Sequence, residues 1–218
     1  MFPLRDVIPS RTVPLVTVTI IALNAIAWFF EISLSAAELP IFLQIYGIVP
    51  ADFSPATLIT SMFLHGSWMH VIGNMWWLWI FGDNVEDRMG HARFLVFYFL
   101  CGIVAALGQL YMTPHSTLPM VGASGAIAGV LGAYIVLYPH SRVLTLVPIF
   151  LFIEIIEVPA LLLLGLWFVM QLFSAGAVAV TASDTGGVAF MAHAAGFVMG
   201  LVGVFLFRRK QRPDARWI

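Results

Sequence analysis

The chain has 218 residues, 61% hydrophobic and only 10% charged, with a formal net charge of -1 and a mean hydropathy of +0.98. That composition excludes a water-soluble globular domain, which would lack the polar surface to cover itself, and the balanced charge gives no sign of a nucleic-acid partner. What remains is a multi-pass protein whose first partner is the lipid bilayer: an all-α integral membrane fold, because in lipid the backbone must satisfy its own polar groups.

Apolar stretches fall at about 13–34, 57–82, 94–112, 121–138, 143–177 and 188–207, most of them long enough for the ~20 residues a spanning helix requires. No soluble domain, low-complexity segment or internal repeat interrupts them, so residues 1–218 read as one membrane domain. The first span is 13–34. The "SLSAAELP" that follows has the small residues of a signal-peptidase site, but the run is long for a signal core, and the stretch reads as a retained helix. In the second stretch Gly66 ends a surface segment, which leaves a span at 67–82. The third, at 94–112, carries the lone Cys101, which excludes an internal disulfide.

The fourth span, 124–138, is short. Its length of roughly 22 Å at 1.5 Å per residue does not reach across a ~30 Å hydrocarbon core. Ser124 therefore starts its helix below the outer surface, and "TLPMVGA" must enter the membrane as a re-entrant loop, which is tolerated only where protein or water surrounds it. The stretch 143–177 is too long for one helix and contains Pro148, Glu154, Glu157 and Pro159. One span at 159–177 gives six spans in all and places every basic residue on one side, so both termini are cytoplasmic under the positive-inside rule. The leftover residues 143–158, rich in β-branched side chains, read as an extended or hairpin segment at the cytoplasmic interface. The last span, 188–207, enters from outside after "SDTGG". The expected location is a bacterial inner membrane.

Chemistry concentrates at one depth. Ser124 opens a helix between glycines, and a helix N-terminus offers unpaired N–H groups beside the hydroxyl, the makings of an oxyanion-binding corner. Small residues at four-residue spacing (Gly125 and Gly129, Ala128 and Gly132) give Ser124 a competing explanation, close helix packing. His193 lies about five residues into the last span, roughly 8 Å deep, on one face with Gly196 and Gly200. It suits a general base or an interhelical hydrogen bond. His70 and Asn74 sit four residues apart on one face of the second span, where they can serve an oxyanion or a neighbouring helix. His65, at the membrane entrance, reads as a brace for the preceding loop. No metal-ligand spacing unites His65, His70 and His193, so no metal or other cofactor is expected.

These residues resemble the rhomboid intramembrane serine proteases. The resemblance covers nearly the whole chain and rests on "HGSWMHVIGN", "VGASGA" and "AHAAGFVMG", in that order on a six-span plan. It implies a six-helix bundle around a water-filled cavity open to the outside, and hydrolysis of peptide bonds in or near the transmembrane segments of single-pass proteins. Carried over residue by residue, it makes Ser124 the nucleophile and His193 the general base. His70, Asn74 and Gly122, with the Ser124 amide, become the oxyanion and substrate-binding site. "GDNVEDRMG" also looks familial, with Glu86 and Arg88 as braces of the cytoplasmic loop.

Two departures stand out. Residues 35–66 hold no Trp-Arg pair, so the first external loop needs another anchor, and the position four after the serine is Ala128 where many rhomboids have a tyrosine stacked on the histidine. No third acid is visible, since Asp184 reads as a turn residue. A non-catalytic client-binding relative, or a small transporter, is the alternative; the first would be expected to lack Ser or His, the second to show paired broken helices. For substrate entry the fifth span is the expected gate, because Trp167, Phe168 and Phe173 offer bulky contacts to "NMWWLWI" in place of close glycine packing.

Overall fold

A computed structural model describes residues 2–149, 152–181 and 190–209. Asp184, "SDTGG", the first residues of the last expected span and the basic residues Lys210, Arg212 and Arg216 lie outside the described residues. In chain order the elements are β1 (Phe2–Asp6), α1 (Leu15–Glu31), α2 (Glu38–Tyr46), α3 (Thr57–Thr60), α4 (Trp68–Met89), α5 (His91–Met112), α6 (Ser124–Leu137), β2 (Arg142–Ile149), β3 (Phe152–Pro159), α7 (Ala160–Thr181) and α8 (Phe190–Phe207). Among the described residues α5 and α8 are long and apolar enough to cross a membrane, and shorter apolar helices run over Leu15–Glu31, Ser124–Leu137 and Ala160–Phe173.

Burial is inverted relative to a soluble domain. Ile26, Phe29, Leu107, Leu162, Phe173 and Leu206 point outward, whereas Asn24, Glu31, Asn74, Asn84, Glu86 and His193 are buried. Large apolar side chains facing out on every side suit a surrounding of hydrocarbon. At the centre stands α6, flanked by α4, α5 and α8, with α7 packed on the outer side against α8. Glycines make the central contact possible. A Cβ at Gly196 would lie 2.1 Å from the carbonyl oxygen of Gly125, and one at Gly200 would lie 1.9 Å from that of Gly129, so the α6 and α8 backbones touch.

The chain is not purely helical. Strands β2 and β3 form an antiparallel hairpin from Arg142↔Pro159 to Ile149↔Phe152, within the stretch read as extended or hairpin. The N-terminal strand β1, which no sequence pattern announces, adds antiparallel to β2 with Phe2 opposite Leu146 and Asp6 opposite Val143. Trp76 Nε1 donates to the Pro3 carbonyl at 2.7 Å, and Asp6 accepts from Tyr134 Oη at 2.6 Å and Asn84 Nδ2 at 2.9 Å. Burial pushes the Asp6 carboxyl up to about 6, a rise that the Tyr134 bond opposes and the nearby Asp83 increases.

Helix α4 runs seven residues beyond the expected end of its span at 82, to Met89. Its polar last turns supply acceptors to the segment entering α1, whose own N-cap, Pro14, has no side chain to offer. Glu86 takes the N–H groups of Val16 and Thr17 at 2.9 and 2.8 Å, the Thr17 hydroxyl at 2.7 Å and His91 Nδ1 at 2.5 Å. Asp87 accepts from Arg11 N and Thr12 N. Arg88 lies over the Tyr138 ring, 5.8 Å from its centroid. Gly90, at φ 80°, then turns the chain directly into α5.

Candidate active site

Ser67 caps α4, its side chain accepting from His70 N, so His70 lies in the first turn and Asn74 one turn further on the same face. Gly66 N–H reaches His70 Nδ1 at a long 3.5 Å. With Nδ1 facing that donor, the ring proton belongs on Nε2 in the arrangement that suits this contact, and Nε2 lies beside Gly122. A Cβ on Gly122 would sit 2.7 Å from His70 Nε2 and 3.6 Å from Asn74 Nδ2, and its φ of 128° is one that L side chains rarely adopt. His70, Asn74 and Gly122 therefore line one space, two residues before the start of α6. The Gly122 N–H is committed to the Ser61 carbonyl at 2.9 Å, so what Gly122 offers is room.

Asn74 Nδ2 has a partner, His65 Nε2 at 2.9 Å. An amide nitrogen only donates, so His65 Nε2 is the acceptor and one Asn74 hydrogen stays free to turn toward Gly122. The His65 backbone N–H in turn donates to the buried Glu31 carboxylate at 3.1 and 3.2 Å. His65 thus braces a side chain of the site as well as its loop.

The loop at 35–66 has the anchors that a Trp-Arg pair would otherwise provide. Ile48 and Met120 exchange backbone hydrogen bonds at 3.0 and 2.8 Å, Ala51 N donates to Ser116 O at 3.0 Å, and Gln44 Nε2 reaches Thr117 O at 3.2 Å. Thr60 Oγ1 donates to Tyr46 O at 2.6 Å, and Phe30 meets Phe42 edge-on. Every anchor to residues 116–120 also fixes the segment that delivers Ser124.

Ser124 is the first residue of α6. Its Oγ lies 2.7 Å from Nε2 of His193 on α8, and His193 is only 9% exposed. Gln109 on α5 accepts from Ala192 N at 3.3 Å, pinning α8 beside the histidine. The structure so brings Ser124, His193, His70, Asn74 and Gly122 to one place.

A family model described as the Rhomboid domain matches residues 53–210. This chain belongs to the rhomboid family. Similar proteins include Rhomboid protein 1, mitochondrial, of Saccharomyces cerevisiae, 32% identical over 80% of this chain and 49% of its own length. Putative rhomboid protease YdcA of Bacillus subtilis is 35% identical over 57% and 63% respectively. Rhomboid-like protein 11, chloroplastic, of Arabidopsis thaliana is 30% identical over 85% and 66%. The chain spans about half to two thirds of the length of these curated relatives. Rhomboids are membrane-embedded helical proteins, in keeping with the outward apolar faces of this one.

One neighbour of the rhomboid site escapes the sequence. His193 Nδ1 is 2.8 Å from Gln171 Oε1, and the Trp167 ring packs on the imidazole with centroids 5.8 Å apart and planes at 39°. Both come from α7, one turn apart on the same face. The available signal was Gln171 itself, the one amide in the apolar run "ALLLLGLWFVMQLF".

Proposed function

We propose that this rhomboid is an intramembrane serine endopeptidase that cuts single-pass membrane proteins within or near their transmembrane segments. The observation that carries the reading is the 2.7 Å contact between Ser124 Oγ and His193 Nε2. It joins helices whose backbones meet at Gly125 and Gly196, an approach that holds nucleophile and base together without relying on flexible side chains.

On this reading His193 takes the Ser124 proton as Oγ attacks the scissile carbonyl carbon. The oxyanion is met by the N–H of His70 Nε2, the free Asn74 amide hydrogen and the N-terminal amides of α6. The imidazolium then protonates the leaving nitrogen, the C–N bond breaks, and an acyl ester remains on Ser124. Water, deprotonated by His193, releases the acid and restores the serine. Side chains and water suffice for each step, with no cofactor. Residues 1–218 act as one domain of six spans with both termini cytoplasmic. Residues 117–123 form the re-entrant segment, so the site opens to the external side at the depth where α6, with 14 residues, begins.

Labelling of the purified protein with a fluorophosphonate tests the chemistry. Wild type should react and Ser124→Ala and His193→Ala should not, while both variants lose cleavage of a transmembrane substrate and keep their thermal stability. Normal cleavage by either variant sinks the dyad, whereas a wild type that neither labels nor cleaves leaves a non-catalytic client-binding role. Reporters fused after Arg216 and within "SDTGG" should read cytoplasmic and external; the reverse would remove the outward-facing site.

A further inference from the structure

We propose that Gln171 is a positioning residue for His193, holding the imidazole in the tautomer and ring orientation that make Nε2 the acceptor of the Ser124 proton. The inference rests on the Ser124–His193 reading above. A neutral imidazole has one N–H and one lone pair, and its partners decide which nitrogen carries which. Gln171 Oε1 is acceptor only, so at 2.8 Å from Nδ1 it places the proton there. Nε2 is left with its lone pair, directed at Ser124 Oγ 2.7 Å away. With the proton on Nε2 instead, the ring would donate to the serine and be no base. The amide therefore does without charge what a carboxylate does in a Ser-His-Asp triad.

Two further observations belong to the same device. Trp167, one turn before Gln171, lies against the imidazole, so the ring has an aromatic wall as well as a hydrogen bond. At the position four residues after Ser124, Ala128 is a fully buried methyl and has no ring to stack on the imidazole. Orientation reaches His193 from α7 instead.

The test uses the full chain in detergent with Gln171→Met, which keeps length and loses the acceptor, and Gln171→Glu, which keeps the acceptor and adds charge. Loss of one orienting hydrogen bond should lower kcat of Gln171→Met about tenfold or more with KM little changed. Gln171→Glu should recover most of that loss, and its carboxylate should move the acid limb of the kcat/KM profile to higher pH by stabilising the imidazolium. A role in packing alone predicts two variants equally impaired with the wild-type pH profile, and that result overturns the proposal, as does wild-type kcat in Gln171→Met. Should Gln171→Met not fold, the pH profile of Gln171→Glu decides by itself: an unmoved acid limb overturns the proposal. Ser124→Ala and His193→Ala run in parallel. Activity in either defeats the dyad and this inference with it, whereas two dead variants beside a fully active Gln171→Met defeat the inference alone.

Discussion

Gly200 on α8 faces the carbonyl of Gly129 on α6 so closely that a Cβ would fall 1.9 Å from that oxygen. A backbone atom cannot swing aside as a side-chain tip can. Gly200→Ala should therefore force the two helices apart, lower thermal stability and cut kcat on any substrate by roughly a hundredfold, because small misplacements of reacting groups are costly. Gly165→Ala on α7, where nothing lies within 4 Å of the added Cβ, should keep wild-type cleavage and gain about 0.5 kcal/mol of helix stability. Melting temperatures and turnover of the two variants check this. Equal behaviour would show that close approach of α6 and α8 does not govern the site.

Glu86 holds the start of α1 to the end of α4 through three hydrogen bonds, and a fourth ties it to His91 at the start of α5. Glu86→Ala leaves the half-buried Val16 and buried Thr17 donors without an acceptor, so it should cost roughly 2–3 kcal/mol while kcat of the surviving folded protein stays near wild type. Thermal unfolding paired with turnover normalised to folded protein separates the two effects. A fall in kcat with stability intact would assign Glu86 to the chemistry.

Asp6 makes stability depend on pH. Its folded value of about 6 lies above the ordinary 3.8, so between those pH values the native state binds more protons than the unfolded chain. The contribution is full below about pH 4 and is lost as pH rises toward 6 and beyond. Asp6→Asn keeps an acceptor for Tyr134 and Asn84 and removes the ionisation. It should flatten the slope of Tm between pH 4 and 6 and raise Tm at pH 7.5 by about 5 °C. A lower Tm at pH 7.5 would mean that the ionised carboxylate is favourably paired in the fold.

The gate expected at α7 is tested at Phe168. Trp167 contacts Trp77 at 6.2 Å and His193 at 5.8 Å between centroids, so trimming it disturbs both the α4 contact and the imidazole. Phe168 stacks on Phe197 at 4.4 Å and is the cleaner probe of a gate. Phe168→Ala should speed cleavage of a transmembrane substrate two- to fivefold or so and leave a short soluble peptide unaffected. An equal change on both substrates refutes a gate at α7.

Much of this architecture is visible in the chain because two kinds of signal are local. Long apolar runs report helices, and a serine and a histidine placed by residue count at the same depth are natural neighbours. The glycines at 125, 129, 196 and 200 could be matched for the same reason, as all lie on the facing sides of two regular helices. What stayed hidden depends on contacts between segments far apart in sequence. Strand β1 is five residues, "FPLRD", too short for a pattern, and acquires its conformation from residues 143–146. The Gln171–His193 pair joins two helices across a connection that sequence does not orient, so the rotation of α7 about its axis could not be read. His65 looked like a loop residue because nothing in "FLHGSWMH" says that its ring turns back to Asn74, nine residues on.

The site divides its control between two interfaces of unlike stiffness. The gap between oxygen and nitrogen is set where glycine backbones abut, a contact with almost no give. On the proposed reading the tilt of the imidazole is set by α7, whose Leu161, Leu162, Val169, Met170 and Phe173 face outward. A bilayer that is thicker, thinner or more ordered presses on that outer helix first. Membrane texture therefore has a mechanical route to turnover, acting on the aim of the base and leaving its reach untouched.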